Sequence, residues 1–164
     1  MGPSPPDDRT PYGEYNKACR TRDLSAVQRW QEFSFHFVQG LSKLPDVVKT
    51  VFRGLNIPLS ALSDIYSKNN KVWWNQVTSC STDPTKLSEF ARGVAAGGTF
   101  IKIEAKRAKS ISQLSVFPYE HEVLLLPDTA FLVLNFQTAT EIAQLRSMDV
   151  KCPAGKDLVV MKEV

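Results

Sequence analysis

Apolar side chains return at intervals of three, four and seven through Val27, Trp30, Phe37, Leu41 and Leu44. That recurrence draws one stripe along a helix. Ser25 with Gln28 has the form of a capping box at its start, and Pro45 predicts its stop. A shorter helix over residues 14–22 is expected ahead of it. After Pro45 the pattern changes to short segments rich in Val, Ile, Phe and Leu, over residues 50–54, 72–81, 99–106, 122–126, 130–136 and 157–164. Pro, Gly, Asp or Asn stands at most of the joins, which predicts strands and turns. One helix interrupts the series: Asp83 suits its cap, Pro84 its first turn and Gly93 its end. The expectation is one α+β domain over residues 13–164, helices first and then mainly antiparallel strands. Residues 1–12, rich in Pro, Asp and Gly, are expected to be a disordered lead-in.

Composition narrows the function classes. A chain of 164 residues can bury a sizeable core, and 43% hydrophobic with 23% charged residues is ordinary for a globular protein. A net charge of +3 is too small to signal a nucleic-acid partner. Lys102, Lys106, Arg107 and Lys109 form the densest basic run, but Glu104 interrupts it, so it reads as a solvated strand end. No apolar run approaches the roughly 20 residues needed to span a bilayer, and the N-terminus lacks the apolar core of a signal peptide. No membrane partner is expected. Cys19, Cys80 and Cys152 are far apart and odd in number, which favours a reducing compartment. A cytoplasmic location is expected, with a secreted effector left open.

Three places on the strands invite chemistry. Arg53 lies inside the apolar segment Thr50-Val51-Phe52-Arg53-Gly54. A guanidinium there must reach solvent or an anion, because burying it unpaired is costly. Gly54 beside it permits close approach of a ligand to the backbone. In Thr78-Ser79-Cys80-Ser81, strand alternation puts both serines on one face and Cys80 on the other. Two hydroxyls in register suit a ribose or a carboxamide. In Glu120-His121-Glu122, the same alternation puts both carboxylates on one face at the mouth of an apolar strand, where mutual repulsion suggests use. Each of the three also reads as ordinary exposed or strand-end polarity. No metal is expected, since His121 faces away from the glutamates and His36 lies on the aromatic helix. Nothing brings Cys80 to His121 as a nucleophile and base. A P-loop and a GxGxxG are absent, and Gly97-Gly98 reads as a turn.

Taken in order, Val51-Phe52-Arg53-Gly54, Trp73-Trp74 leading to Ser79-Cys80-Ser81, and Glu120-His121-Glu122-Val123-Leu124-Leu125-Leu126-Pro127 resemble the arginine-specific mono-ADP-ribosyltransferases of the R-S-E class. Tyr15-Asn16-Lys17-Ala18, the aromatic helix, Leu44-Pro45 and the closing strand are similar to the eukaryotic-type branch, so the likeness runs from about Gly13 to the C-terminus. The resemblance implies two packed, mainly antiparallel β-sheets with N-terminal helices and NAD, consumed as co-substrate, in a central cleft. By the same resemblance Arg53 would hold the NAD phosphates or the adenosine-side ribose. Ser79 would position the nicotinamide-side ribose and Arg53, with Ser81 in the same cofactor-binding group. Gly54 would offer backbone groups to the carboxamide, Phe90 would pack on the nicotinamide, and Arg92 would touch the pyrophosphate. Glu122 would be the central acid, and Glu120 the one associated with arginine as acceptor. The chain departs from the family at Val77, where an aromatic is common, at Cys80 in place of Thr, at His121, and in a shorter stretch between Ser81 and Phe90.

Physical chemistry agrees with these implied roles. Cleaving the bond between ribose and nicotinamide builds positive charge on the sugar, which a carboxylate stabilises most when the charge is greatest. A guanidinium acceptor is a poor nucleophile and needs an acid such as Glu120 to orient it and take its proton. An NAD glycohydrolase and a non-catalytic NAD- or protein-binding module on the same fold are the alternatives.

Overall fold

The computed structural model describes residues 10–85, 98–115, 118–144 and 155–164, with the backbone alone for Glu120 and Gln144. Residues 1–9 of the expected lead-in and the body of the helix expected up to Gly93 lie outside the described residues. Asp83 does act as a cap where described: its Oδ1 accepts from the Thr85 backbone N–H at 2.9 Å.

The chain opens with three helices, α1 (Pro11–Thr21), α2 (Leu24–Arg29) and α3 (Gln31–Ser42). Helix α1 starts earlier than expected because Thr10 caps it, accepting from Gly13 N at 3.0 Å, with Pro11 in the first turn. The long aromatic helix expected from Ser25 is two helices. Asp23 caps the first, its Oδ1 accepting from Ser25 N and Ala26 N at 3.0 and 3.3 Å, so Ser25 is not the cap. Trp30 then leaves helical geometry at φ −94° and ψ 4°, and its ring stands edge-on to Tyr15 and Phe33. The apolar stripe survives the break in part. Leu41 is buried and Trp30, Phe37 and Leu44 are half-buried, whereas Val27 remains exposed.

Seven strands follow among the described residues: β1 (Asp46–Leu55), β2 (Lys71–Trp74), β3 (Thr78–Ser81), β4 (Thr99–Ser110), β5 (Glu122–Leu125), β6 (Thr129–Gln137) and β7 (Asp157–Glu163). A short helix α4 (Ala139–Gln144) lies between the last two. Strands β1, β4, β7, β6 and β2 form one row, antiparallel throughout except for β4 beside β7. Strands β3 and β5 form a second layer. The two layers are not separate sheets, because β3 also bonds β1 and β5 also bonds the far end of β4. Cys80, Val123 and Leu125 project from the small layer into the same core as Val51, Ile101, Ile103, Phe131, Val159 and Met161 from the row. On the opposite face of that layer, Val77 and Leu124 pack against Tyr15 and Leu41 of the helices. The order is therefore helices, small β layer, core, five-stranded row.

The segment expected as one strand over residues 72–81 is two strands on different layers. β2 pairs only β6, whereas β3 pairs β1 and β5, so Asn75, Gln76 and Val77 carry the chain across the molecule. The basic run on β4 meets the expectation in part, since Lys106 and Arg107 are exposed. Lys109 is buried, and its Nζ donates to Leu44 O at 2.8 Å and to Asp46 at 2.6 Å, tying β4 to the start of β1. Arg107 donates from Nε to Glu163 at 2.7 Å. Glu163 is 1% exposed and also accepts from the backbone N–H groups of Lys106 and Arg107. Strand pairing with β7 runs out at Glu104 and Lys162. The carboxylate thus replaces the missing strand partner and lets β4 continue to meet β5. No helix among the described residues is long and apolar enough to cross a membrane.

Replacing Glu163 with Ala leaves the Lys106 and Arg107 backbone N–H groups without their carboxylate, so denaturant unfolding is expected to show a loss of about 2 kcal/mol. A loss below about 1 kcal/mol would show that β4 needs no such clamp. Cys80 is fully buried, and burial pushes its thiol up to about 12, so almost no thiolate exists at neutral pH. Alkylation at pH 7.5 with mass mapping is expected to leave Cys80 unmodified in the folded protein and modify it in urea. Rapid native labelling would contradict this placement.

Candidate active site

The small layer positions the expected site because its strands alternate faces. Ser79 and Ser81 on β3, and Glu122 and Leu124 on β5, share the face that Cys80, Val123 and Leu125 leave. Ser79 lies diagonal to Glu122, and its Oγ donates to the carboxylate through a short hydrogen bond. Arg53 completes the chain from the neighbouring strand, with Nη1 donating to the Ser79 backbone O at 2.7 Å. Arg53 faces inward because it shares the face of buried Val51 on β1. The paired guanidinium and the hydroxyl-held carboxylate are both half-buried, which strengthens charge-assisted hydrogen bonds relative to open solvent.

The other sequence-selected residues fare differently. Ser81 lies directly across from Glu122, but it is buried, and its hydroxyl closes a turn with Asp83, accepting from Asp83 N at 3.1 Å. Gly54 is exposed, and a Cβ there would meet nothing within 4 Å. Protein packing therefore does not require glycine at this position, and the backbone is open to a ligand. Phe90 and Arg92 lie outside the described residues. Glu120 does not share a strand face with Glu122. It ends a 3-10 turn (Pro118–Glu120), His121 takes a left-handed conformation at φ 49°, and the strand starts only at Glu122. The alternation rule fails here because it applies within a strand. Cys80 faces the core rather than the serines, and no group of three or more His, Cys, Asp or Glu side chains converges as a metal site among the described residues.

Helix α1 supplies polar neighbours that the strand motifs did not disclose. Tyr12 donates to Val77 O at 3.4 Å, and burial raises its pKa while the nearby Asn16 amide and Arg53 guanidinium oppose the rise. Asn16 is buried, and its Oδ1 has no hydrogen-bond partner among the described residues. A tyrosine and an asparagine four positions apart on one helix face were the available signal. A cleft of about 370 Å³ opens beside Arg53, lined also by Arg20, Tyr66, Trp74, Gln76 and Thr78 among others. Part of its wall is the chain crossing between the layers.

The chain has counterparts among known proteins. A family model described as NAD:arginine ADP-ribosyltransferase matches residues 9–153. The NAD(+)--protein-arginine ADP-ribosyltransferase Tre1 of Serratia proteamaculans is 30% identical over 124 residues, covering 76% of this chain and 26% of that protein. Ecto-ADP-ribosyltransferase 5 of Mus musculus is 32% identical over 159 residues, covering 87% of this chain and 48% of that protein. The chain thus spans at most about half the length of these relatives. Among solved structures, the ADP-ribosyltransferase Vis in complex with agmatine superposes with a TM-score of 0.70 at 19% identity, covering 96% of this chain and 70% of that one. Plx2a, a toxin from Paenibacillus larvae, gives a TM-score of 0.65 at 14% identity over 92% of this chain and 78% of that one. These two likenesses bear on the fold, which they share with the layered architecture described above. Matched along nearly its whole length by the family model and at 30% identity or better by two such transferases, this chain belongs to the NAD:arginine ADP-ribosyltransferase family.

Proposed function

We propose that this protein transfers ADP-ribose from NAD to an arginine side chain and releases nicotinamide, with Glu122 as the central catalytic carboxylate. The observation that carries the reading is the chain of bonds from Arg53 through Ser79 to Glu122 across three adjacent strands. It holds one carboxylate in place beside one guanidinium, which are the two charges that NAD cleavage needs. The guanidinium suits the pyrophosphate, and the carboxylate suits the cation that develops on the ribose.

In the proposed reaction the bond between the ribose anomeric carbon and the nicotinamide nitrogen breaks, and its electron pair leaves with neutral nicotinamide. Glu122 stabilises the resulting positive charge on the sugar and is already oriented by Ser79, so little reorganisation accompanies the step. A guanidine nitrogen then bonds to the anomeric carbon, and the proton it sheds passes to a carboxylate; Glu120 is the residue proposed for that role. Gly54 leaves open backbone near Arg53 for the nicotinamide carboxamide. The two described cysteines, Cys19 and Cys80, are free, which fits a reducing compartment such as the cytoplasm.

One observation favours a second reading. The turn and the left-handed His121 separate Glu120 from the strand that carries Glu122. With the two carboxylates on different elements, water as acceptor would make the protein an NAD glycohydrolase.

Labelled NAD with agmatine as acceptor separates the readings. Wild type is expected to label agmatine. Glu122→Ala is expected to lose both labelling and nicotinamide release by on the order of a hundredfold or more. Glu120→Ala is expected to lose labelling while still releasing nicotinamide. Nicotinamide release by wild type with no labelled guanidine would put the glycohydrolase first, and absence of any NAD consumption would contradict both.

A further inference from the structure

Tyr66 lies in the connection between β1 and β2 and is 6% exposed. Its ring belongs to the main core, yet it also lines the cleft that Arg53 borders. The Trp74 Nε1–H donates to the Tyr66 hydroxyl oxygen at 2.9 Å. An indole N–H can only donate, so this bond makes Tyr66 the acceptor and leaves the phenolic proton for some other group. Among the described residues nothing receives that proton. A hydroxyl on a cleft wall whose donor no protein group takes is available to a ligand oxygen. The direction is also fixed, because the Trp74 ring packs against fully buried Phe131 at a centroid distance of 4.8 Å.

The charge around the cleft selects the ligand atom. Its described lining includes two guanidinium groups, Arg20 and Arg53, and no carboxylate. Burial raises the Tyr66 pKa, and Arg53 lies near enough to oppose that rise, so the hydroxyl and the guanidinium address overlapping space. Ser79 and Glu122 are not part of this lining, and Arg53 is the residue common to both places. A dinucleotide reacting at Glu122 and paired at Arg53 would extend its remaining half into this cleft.

We propose that Tyr66 is a further substrate-binding residue, whose O–H donates to an oxygen of the dinucleotide pyrophosphate beside Arg53 while the Trp74 indole sets its direction. This rests on the reading of NAD as substrate. It extends that reading to residues outside the Arg, Ser and Glu motifs.

The test is calorimetric binding of ADP-ribose and of adenosine to wild type, Tyr66→Phe and Trp74→Phe, with thermal unfolding of each. Tyr66→Phe keeps the core ring and removes only the donor. Its affinity for ADP-ribose is expected to fall roughly tenfold, the size of a lost hydrogen bond to a charged group, with adenosine binding unaltered. Trp74→Phe frees the phenol to rotate and is expected to cause a smaller loss, again confined to the phosphate-bearing ligand. Equal ADP-ribose affinity in wild type and Tyr66→Phe overturns the proposal and leaves the NAD reading standing, as does a loss shared equally by adenosine. A wild type that binds neither NAD nor ADP-ribose overturns both.

Discussion

A single relay of hydrogen bonds, Arg53 to the Ser79 backbone and Ser79 to the Glu122 carboxylate, sets the requirements that the rest of the fold meets. The relay spans three strands, so it exists only if β1, β3 and β5 are held in register. Strands β3 and β5 have four residues each, too few to hold position unaided. Two packed surfaces hold them. Cys80, Val123 and Leu125 anchor one face in the main core, and Val77 and Leu124 anchor the other beneath the helices. Strand β4 closes the arrangement by pairing β1 along its length and β5 at its far end. The buried Glu163 carboxylate makes that long reach possible by bonding the donors that β7 no longer covers.

The same layering that fixes the carboxylate creates the cleft beside Arg53. Because β2 and β3 belong to different layers, the residues between them must cross the molecule, and Asn75 and Gln76 become cleft wall rather than strand. Trp74 ends β2 at the cleft edge and donates to Tyr66, which brings the β1–β2 connection into the same wall. The cleft is thus bounded by the irregular backbone between the layers, while Arg53, Ser79 and Glu122 sit on strands. That division suits catalysis, since strands hold geometry and connections shape access.

Much of this was legible in the sequence. Short apolar segments between turn residues marked five of the seven described strands, with β2 and β3 merged into one, and strand alternation within Thr78–Ser81 put Cys80 in the core and Ser79 on the face of Glu122. Arg53 stood out because a guanidinium inside an apolar strand must reach solvent or an anion; it is half-buried and donates to the Ser79 backbone O. What failed did so where local patterns stop. The Val27–Leu44 stripe says nothing about the break at Trp30, where packing against Tyr15 coincides with the change of direction. A single apolar segment over residues 72–81 cannot disclose that its halves pair with different partners. Alternation extended back from the strand puts Glu120 on the face of Glu122, but the left-handed His121 ends the alternation before it reaches Glu120. Tyr66 was silent because its place depends on contacts between distant segments, whereas Tyr12 and Asn16 carried only their shared helix face as a signal.

A double-mutant cycle on nicotinamide release with Ser79→Ala, Glu122→Gln and the pair tests the relay most directly. If Ser79 acts by orienting Glu122, its removal costs little more once the carboxylate is gone, and the two effects are expected to be non-additive by more than about 1 kcal/mol. Strictly additive losses would contradict the relay and make Ser79 and Glu122 independent contributors.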